Sequence, residues 1–282
     1  MKKIAIVTDS TAYIPKELIQ KYSIKVAPQV LIWGEEMYAD GVDIQPTEFY
    51  ERLKTAKVMP STSQVTPATF HKIFSELLEQ DCNVLAILLS EALSGTIASA
   101  VQAREMLPGA TIEIVDTHTT AMALGFQVLR VAEAAGQGAS LAECLELAER
   151  ARQHTGVVFA VDTLEFLYRG GRIGGGSRFL GTALNIKPIL EVTGGRVEAV
   201  ERVRTRKKSL ERLVELVEDR IGGRKPVRLA TLHANASEEA RELLAQANRR
   251  IESAENIFTE VSPVVGTHTG PGTVGLAFMA GI

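Results

Sequence analysis

The chain has 282 residues, which is enough for one large domain or two ordinary ones. Its hydrophobic content of 45% and its charged content of 23% are normal for a soluble globular protein. The formal net charge is −3, from 31 basic and 34 acidic residues, so no strong global field favours nucleic acid or an anionic membrane as a partner. We therefore expect no nucleic-acid binding and at most transient membrane contact.

No segment is typical of export or of membrane insertion. The apolar run that follows Lys2 and Lys3 is shorter than the core of a secretory signal, and no apolar run approaches the roughly 20 residues of a membrane helix. Cys82 and Cys144 are far apart and fit no metal-binding pattern, so both are expected in the core of a protein kept in a reducing compartment. The sequence thus predicts a cytoplasmic protein that binds no metal and needs no cofactor.

The first half of the chain alternates between short apolar strands and amphipathic helices. Strands are predicted at 3–8, 26–33, 83–89 and 111–115, and helices at 15–22, 66–80 and 140–153. Pro28 lies inside the second of these strands, which indicates an edge strand or a bulge. Buried strands separated by helices predict a parallel sheet that is covered on both faces.

The pattern changes after residue 156. A β-hairpin is predicted over 187–203, with Gly194 and Gly195 at its turn. Strands are also predicted at 157–161, 227–234, 257–262 and 273–279, and helices at 209–221 and 237–252. Paired strands mixed with helices indicate an α+β arrangement with a mainly antiparallel sheet.

We therefore predict a two-domain α/β protein. The N-terminal domain is a parallel-sheet α/β/α unit at 1–156, and the C-terminal domain is an α+β unit at 157–282 with a mainly antiparallel sheet. The segment near 60–78 is a candidate for packing against the second domain.

Clusters of hydroxyl-bearing residues follow the carboxyl ends of several predicted strands. They are 8–11, then Ser90 with Ser94 and Thr96, then Asp116 with Thr117, Thr119 and Thr120, and a further cluster at 60–67 precedes a helix. Each cluster alone is explained by helix capping. Because ligands bind beyond the carboxyl ends of parallel strands, several clusters together favour an anion site made of hydroxyls and helix N-termini.

Ser94 can be interpreted either as a nucleophile or as a hydroxyl that holds a ligand. A nucleophilic serine needs a base and an oxyanion hole, and this serine lacks the glycine two residues earlier that a nucleophile elbow has. His118 and His268 are the better candidates for a base, because both lie in hydroxyl-rich turns. A serine hydrolase or acyl transferase therefore stays open as an alternative.

Two glycine-rich stretches do not predict nucleotide binding. The segment 170–176 lacks the lysine and hydroxyl of a P-loop, and the glycines of 270–275, with Pro271, are expected to form a turn that lets backbone approach a ligand or another domain. No kinase signature is present. If phosphoryl transfer is involved, another protein must bind the nucleotide.

Eight short stretches, in order from one end of the chain to the other, resemble the DegV family. They are IVTDSTA (6–12), YADGVDI (38–44), PSTSQVTP (60–67), LSGTIASA (93–100), DTLEFLYRGGRI (162–173), LNIKPIL (184–190), RVRTRKKS (202–209) and HTGPGTVGLAF (268–278). The resemblance implies a long-chain fatty acid in a tunnel between two domains. Members of that family include the binding subunit of bacterial fatty acid kinase, whose bound carboxylate is phosphorylated for phospholipid synthesis by a separate kinase subunit similar to dihydroxyacetone kinase.

The resemblance also implies which residues hold the carboxylate. The hydroxyls of Thr62 and Ser94 would bind it, with His268 and Arg204 in the surrounding polar network. The predicted carboxylate site comprises Thr62, Ser94, Gly95, Arg204, Thr267 and His268. On this interpretation the chain is a lipid-binding protein and not itself a catalyst. A lipid carrier or sensor without a kinase partner is a second alternative, beside the serine hydrolase or acyl transferase.

Further positions are candidates for partner contact or for ligand selectivity. Arg169 and Arg172 lie in the glycine-rich turn and are candidates for docking a partner or contacting an incoming phosphate. The family often has serine where this chain has Ala121 and glycine where it has Ala123, so acyl selectivity should differ if these positions line the tunnel.

Overall fold

The computed structural model of the protein describes residues 2–179 and 186–282. Within them the strands are β1 (Lys3–Asp9), β2 (Lys25–Ala27), β3 (Val30–Trp33), β4 (Glu36–Ala39), β5 (Ser61–Ser63), β6 (Cys82–Leu88), β7 (Ile112–Asp116), β8 (Thr155–Ala160), β9 (Lys187–Thr193), β10 (Arg196–Val203), β11 (Val227–His233), β12 (Glu255–Glu260) and β13 (Val274–Ala280). The α-helices are α1 (Lys16–Tyr22), α2 (Pro46–Lys54), α3 (Pro67–Glu79), α4 (Thr96–Glu105), α5 (Ala121–Gly136), α6 (Leu141–His154), α7 (Glu165–Arg169), α8 (Arg206–Ile221), α9 (Ser237–Arg250) and α10 (Pro263–Thr269). Of the stretch 184–190, Leu184 and Asn185 lie outside the described residues.

The predicted parallel sheet is confirmed, with the strand order β2-β1-β6-β7. Strands β1 and β6 are almost wholly buried, because α3 and α4 cover one face and α5 covers the other. Helix starts follow the local sequence. Thr66 caps α3 by accepting the Thr69 N–H at 3.1 Å, and Ser140 and Glu143 form a capping box at α6.

The prediction of a single strand at 26–33 is wrong. Pro28 separates β2, at the edge of the parallel sheet, from β3, which is the centre of a small antiparallel sheet of order β4-β3-β5. A proline has no N–H for a ladder and restricts the residue before it, so the chain changes sheets at this point. Within the segment 60–78, β5 lies against α10, whereas α3 packs on the N-terminal sheet.

The second sheet has the order β10-β9-β8-β13-β11-β12 and is antiparallel except for the β11–β12 pair. This confirms the predicted mainly antiparallel sheet. The hairpin at 187–203 is present, and Gly194 and Gly195 at its turn both have positive φ, as tight hairpin turns require. Helices α8 and α9 cover one face of this sheet, and α5 lies against the other.

Helix α5 is therefore the layer between the parallel sheet and the six-stranded sheet. All its residues from Ala121 to Leu129 are buried, and all of them except Gln127 are apolar, as expected for a helix segment that is covered on every side. At Gly125 a Cβ atom would lie 2.4 Å from the Ala12 carbonyl oxygen, so this glycine permits the close approach of the helix to the turn after β1. Cys82 and Cys144 are both buried, as predicted. None of the helices in the described residues is both long and apolar enough to cross a membrane.

Candidate functional site

A cavity lies between the carboxyl ends of the parallel strands and the second sheet. Its volume is about 870 Å³, counted with the open space at its mouth. Both halves of the chain contribute apolar wall residues, among them Leu89, Leu93, Val157, Phe159, Val192 and Leu232. The cavity thus lies at the position where open parallel sheets bind ligands, and the six-stranded sheet forms its second wall.

One pair of polar side chains in this cavity joins residues that are 206 positions apart. Thr62 lies on β5 and His268 on α10, and the Thr62 Oγ1 to His268 Nε2 distance is 2.7 Å. His268 is not in a turn, as the sequence suggested, but near the end of a short helix. The turn follows it, at Gly270 and Gly272, which both have positive φ.

A second polar group contains Ser94. Its Oγ lies 2.9 Å from Thr96 Oγ1, and the Gln29 amide donates to that same threonine oxygen at 2.9 Å. The loop that carries Ser94 is fixed by the C-terminal half. Arg172 Nε donates to the Leu93 carbonyl at 3.1 Å.

The structure brings some of the predicted site residues together and not others. Thr62, Ser94 and His268 all line the cavity. Gly95 adjoins Ser94 at the start of α4. Thr267 is buried and lines not this cavity but a neighbouring pocket, and its hydroxyl donates to the Pro263 carbonyl at 2.9 Å.

Arg204 is exposed between β10 and α8 and does not line the cavity. Arg172 supplies the cationic side chain there instead. Ala121 lines the cavity, whereas Ala123 is buried within α5. Gln29 also lines the cavity and is not among the predicted site residues, although a polar residue inside the apolar stretch 26–33 is a signal for it.

The His268 imidazole is neutral near pH 7. Burial lowers its pKa to about 4, and the positive charge of Arg172 acts in the same direction. Its Nδ1 has no hydrogen-bond partner in the described residues. A buried lone pair is less costly than a buried N–H without an acceptor, so we assign the proton to Nε2, which donates it to Thr62.

The His268 ring should therefore stay neutral at pH values where an ordinary histidine is already protonated. As the pH falls from about 6.5 to about 4, the unfolded chain takes up a proton that the folded protein does not. The free energy of unfolding should then fall by roughly 1.4 kcal/mol per pH unit in this range from this residue alone. An NMR titration of the His268 Cε1–H checks this, and a midpoint near 6.5 would contradict it.

The arrangement does not supply Ser94 with a base. His268 is hydrogen-bonded to Thr62, and His118 is exposed, with its Nε2 3.6 Å from an oxygen of Asp116. In the part of the chain that the structure describes, neither imidazole is hydrogen-bonded to Ser94.

A second, outer pocket adjoins the polar end of the cavity. Thr62, Arg172 and His268 line both spaces, so these three side chains form the boundary between them. Arg169 also lines the outer pocket, where it is exposed and paired with Glu165 at 2.5 Å. The outer pocket is thus a cationic approach to the end of the cavity that carries the hydroxyls.

Comparison with known proteins gives similarity over nearly the full length. The DegV family model, described as "Uncharacterised protein, DegV family", matches residues 3–281. A DegV domain-containing protein of Deinococcus radiodurans is 39% identical over 274 residues, or 97% of each chain. A DegV family protein from Thermus thermophilus, described as fatty acid binding, has a TM-score of 0.94 and 36% identity, covering 99% of this chain and 100% of that one. DegV of Bacillus subtilis, described as a fatty acid binding protein, has a TM-score of 0.90 and 32% identity, with the same coverage.

Proposed function

Because this chain belongs to the DegV family, we propose that it binds a long-chain fatty acid in the cavity between its parallel sheet and its six-stranded sheet. The acyl chain lies between the apolar walls, and the carboxylate lies between the hydroxyls of Thr62 and Ser94. The observation that carries the proposal is the combination of a mainly apolar cavity with the hydroxyls of Thr62 and Ser94, each of which is hydrogen-bonded to a further polar side chain.

The hydrogen bonds behind the two hydroxyls favour an acceptor between them. His268 Nε2–H donates to Thr62 Oγ1, which leaves the Thr62 proton free for a ligand. The Gln29 amide donates to Thr96 Oγ1, and the Thr96 hydroxyl can donate either to Gln29 Oε1 at 3.2 Å or to Ser94 Oγ at 2.9 Å. Donation over the shorter distance, to Ser94, leaves the Ser94 proton free. An ionised carboxylate only accepts hydrogen bonds, so it matches both free protons, and the N-terminus of α4 adds a favourable field.

The acyl chain supplies most of the binding free energy. Burial of a methylene group contributes roughly 0.8 kcal/mol, so a chain of sixteen carbons contributes more than about 10 kcal/mol before the costs of ordering and association. The hydroxyls contribute less, but they decide which end of the ligand faces the outer pocket. The apolar walls therefore set affinity, and Thr62 and Ser94 set orientation.

We further propose that the carboxylate is presented to a kinase subunit similar to dihydroxyacetone kinase, which forms the acyl phosphate. Arg172 lies between the cavity and the outer pocket, where its charge would face a phosphoryl group on the bound carboxylate. Arg169 lies farther out and would contact the partner or the incoming phosphate. The chain would then act as a binding subunit, and the nucleotide would belong to the partner.

Native mass spectrometry of the purified protein, followed by denaturing extraction and lipid analysis, tests the binding proposal. We expect one fatty acid per chain, or uptake of added palmitate or oleate to that ratio. A protein that is empty and takes up neither acid would contradict it.

The kinase proposal has a separate readout. With palmitate-loaded protein, ATP and a cognate kinase subunit, hydroxylamine should trap palmitoyl hydroxamate, and omission of any component should abolish it. Binding without hydroxamate would favour a carrier or sensor that has no kinase partner.

A further inference from the structure

The buried carboxylate of Asp40 connects the two sides of the proposed carboxylate site. Asp40 follows β4, is 2% exposed and lines a groove outside the cavity. Its Oδ2 accepts the Ser10 hydroxyl at 2.6 Å, and its Oδ1 accepts the Val264 N–H at 3.2 Å. These two donors lead to the two hydroxyls of the site by different routes.

The first route runs through α10. Val264 is the second residue of this helix, and its N–H is one of the donors that a helix leaves unpaired at its start. His268 lies four residues later, about one turn along the helix, and is bonded to Thr62. By holding the first turn of α10, Asp40 fixes the position from which the imidazole reaches Thr62.

The second route runs through Ser10 and Gln29. Ser10 Oγ accepts the Gln29 backbone N–H at 3.1 Å while it donates to Asp40. The Gln29 side chain then donates to Thr96, and Thr96 contacts Ser94. Asp40 is thus connected to Ser94 by a chain of hydrogen bonds, and to Thr62 through helix α10.

This connection has a cost in stability. Burial raises the pKa of Asp40 to about 6, against the hydrogen bonds from Ser10 and Val264, and the negative charge of Asp9 acts with burial. Because the folded pKa exceeds the unfolded value, the free energy of unfolding falls as the pH rises through about 6. A neutral residue here would avoid that loss near pH 7, which argues for a role of this carboxylate other than stability.

We propose that Asp40 is a positioning residue that sets the spacing between the Thr62 and Ser94 hydroxyls. The proposal rests on the fatty-acid function given above. Asp40 itself does not contact the ligand. Asp40 holds two separate segments, β5 with α10 and the loop before α4, at the separation at which their hydroxyls reach the two oxygens of one carboxylate.

The test is an Asp40→Asn variant, measured with palmitate and with hexadecanol, which has the same chain and no carboxylate. An amide keeps the shape of the side chain but can accept from only one of the two donors. We expect palmitate affinity to fall about tenfold or more and hexadecanol affinity to change by less than about twofold. Glu133→Gln is the matched control, because Glu133 is a partly buried carboxylate that pairs with Arg228 at 2.8 Å and does not line the cavity.

If Asp40→Asn lowers the affinities for palmitate and hexadecanol equally, Asp40 has only a structural role and the proposal is wrong. If neither affinity falls, the proposal is also wrong. If Asp40→Asn does not fold, Ser10→Ala is the variant that tests the proposal. It removes the hydrogen bonds that connect Asp40 to Gln29 and leaves the hydrogen bond from Val264 in place. The same selective loss of palmitate affinity is expected from it, and an unchanged palmitate affinity would overturn the proposal. A wild-type protein that binds palmitate no better than hexadecanol would instead contradict the proposed carboxylate site itself.

Discussion

A Thr62→Val/Ser94→Ala double variant is expected to bind palmitate at least about a hundredfold more weakly than the wild-type protein. A hydrogen bond to a charged group contributes roughly 1.5–3 kcal/mol, so the loss of two such bonds weakens binding by about 10² to 10⁴. Valine keeps the shape of threonine, and alanine only removes an oxygen, so the apolar walls stay in place. Displacement of a fluorescent fatty acid measures the effect.

Two controls make this result specific to the carboxylate. The Ser75→Ala/Thr111→Val variant carries the same two chemical changes, on α3 and just before β7, at positions that are not buried and do not line the cavity. Its palmitate affinity should match that of the wild type. Hexadecanol should bind the Thr62→Val/Ser94→Ala variant about as well as it binds the wild type. Palmitate affinity within about threefold of the wild type would show that these hydroxyls do not hold the carboxylate.

Gly170→Ala is expected to weaken palmitate binding about tenfold or more, through His268. A Cβ atom on Gly170 would lie 2.1 Å from His268 Nδ1 and 2.9 Å from Cε1, so the imidazole must leave the position in which it is hydrogen-bonded to Thr62. The φ of Gly170 is −76°, which alanine adopts freely, so the contact and not backbone strain is responsible. Overpacking of this kind costs about 1–3 kcal/mol of unfolding free energy. Thermal denaturation and palmitate binding measure the two effects.

A second substitution separates these effects. In Gly170→Ala/His268→Ala the imidazole is gone, so the free energy of unfolding should recover while palmitate binding stays weak. Gly136→Ala is the control, because a Cβ atom there meets nothing within 4 Å and lies near the end of α5. If Gly170→Ala binds palmitate normally, the His268–Thr62 contact is not part of the carboxylate site.

The sequence predicted elements well where their signal is local. Thr66 with Pro67 at α3 and the Ser140–Glu143 capping box mark helix starts by contacts three residues apart, so neither depends on the rest of the fold. The segment 26–33 was misjudged because apolar β-formers favour a strand in either sheet. Only long-range pairing decides that β2 joins one sheet and β3 another.

Three polar residues that line the cavity were predictable from the sequence, but their arrangement was not. Thr62, Ser94 and His268 came from motifs that resemble a family, and nothing local in their sequence brings β5 next to α10. Helix α10 itself was missed, because seven residues with two valines, two threonines and a glycine have low helix propensity and form a helix only in this packing. The contacts of Asp40 could not be predicted, because Ser10 and Val264 are 30 and 224 residues away in sequence.

A crystal structure of the protein with bound palmitate tests the central claim most directly. We predict one carboxylate oxygen within about 2.5–3.2 Å of Thr62 Oγ1 and the other within the same distance of Ser94 Oγ, with the acyl chain along Leu89 and Phe159. A carboxylate that lies elsewhere, with the methyl end between Thr62 and Ser94 or the chain outside the cavity, would contradict the account.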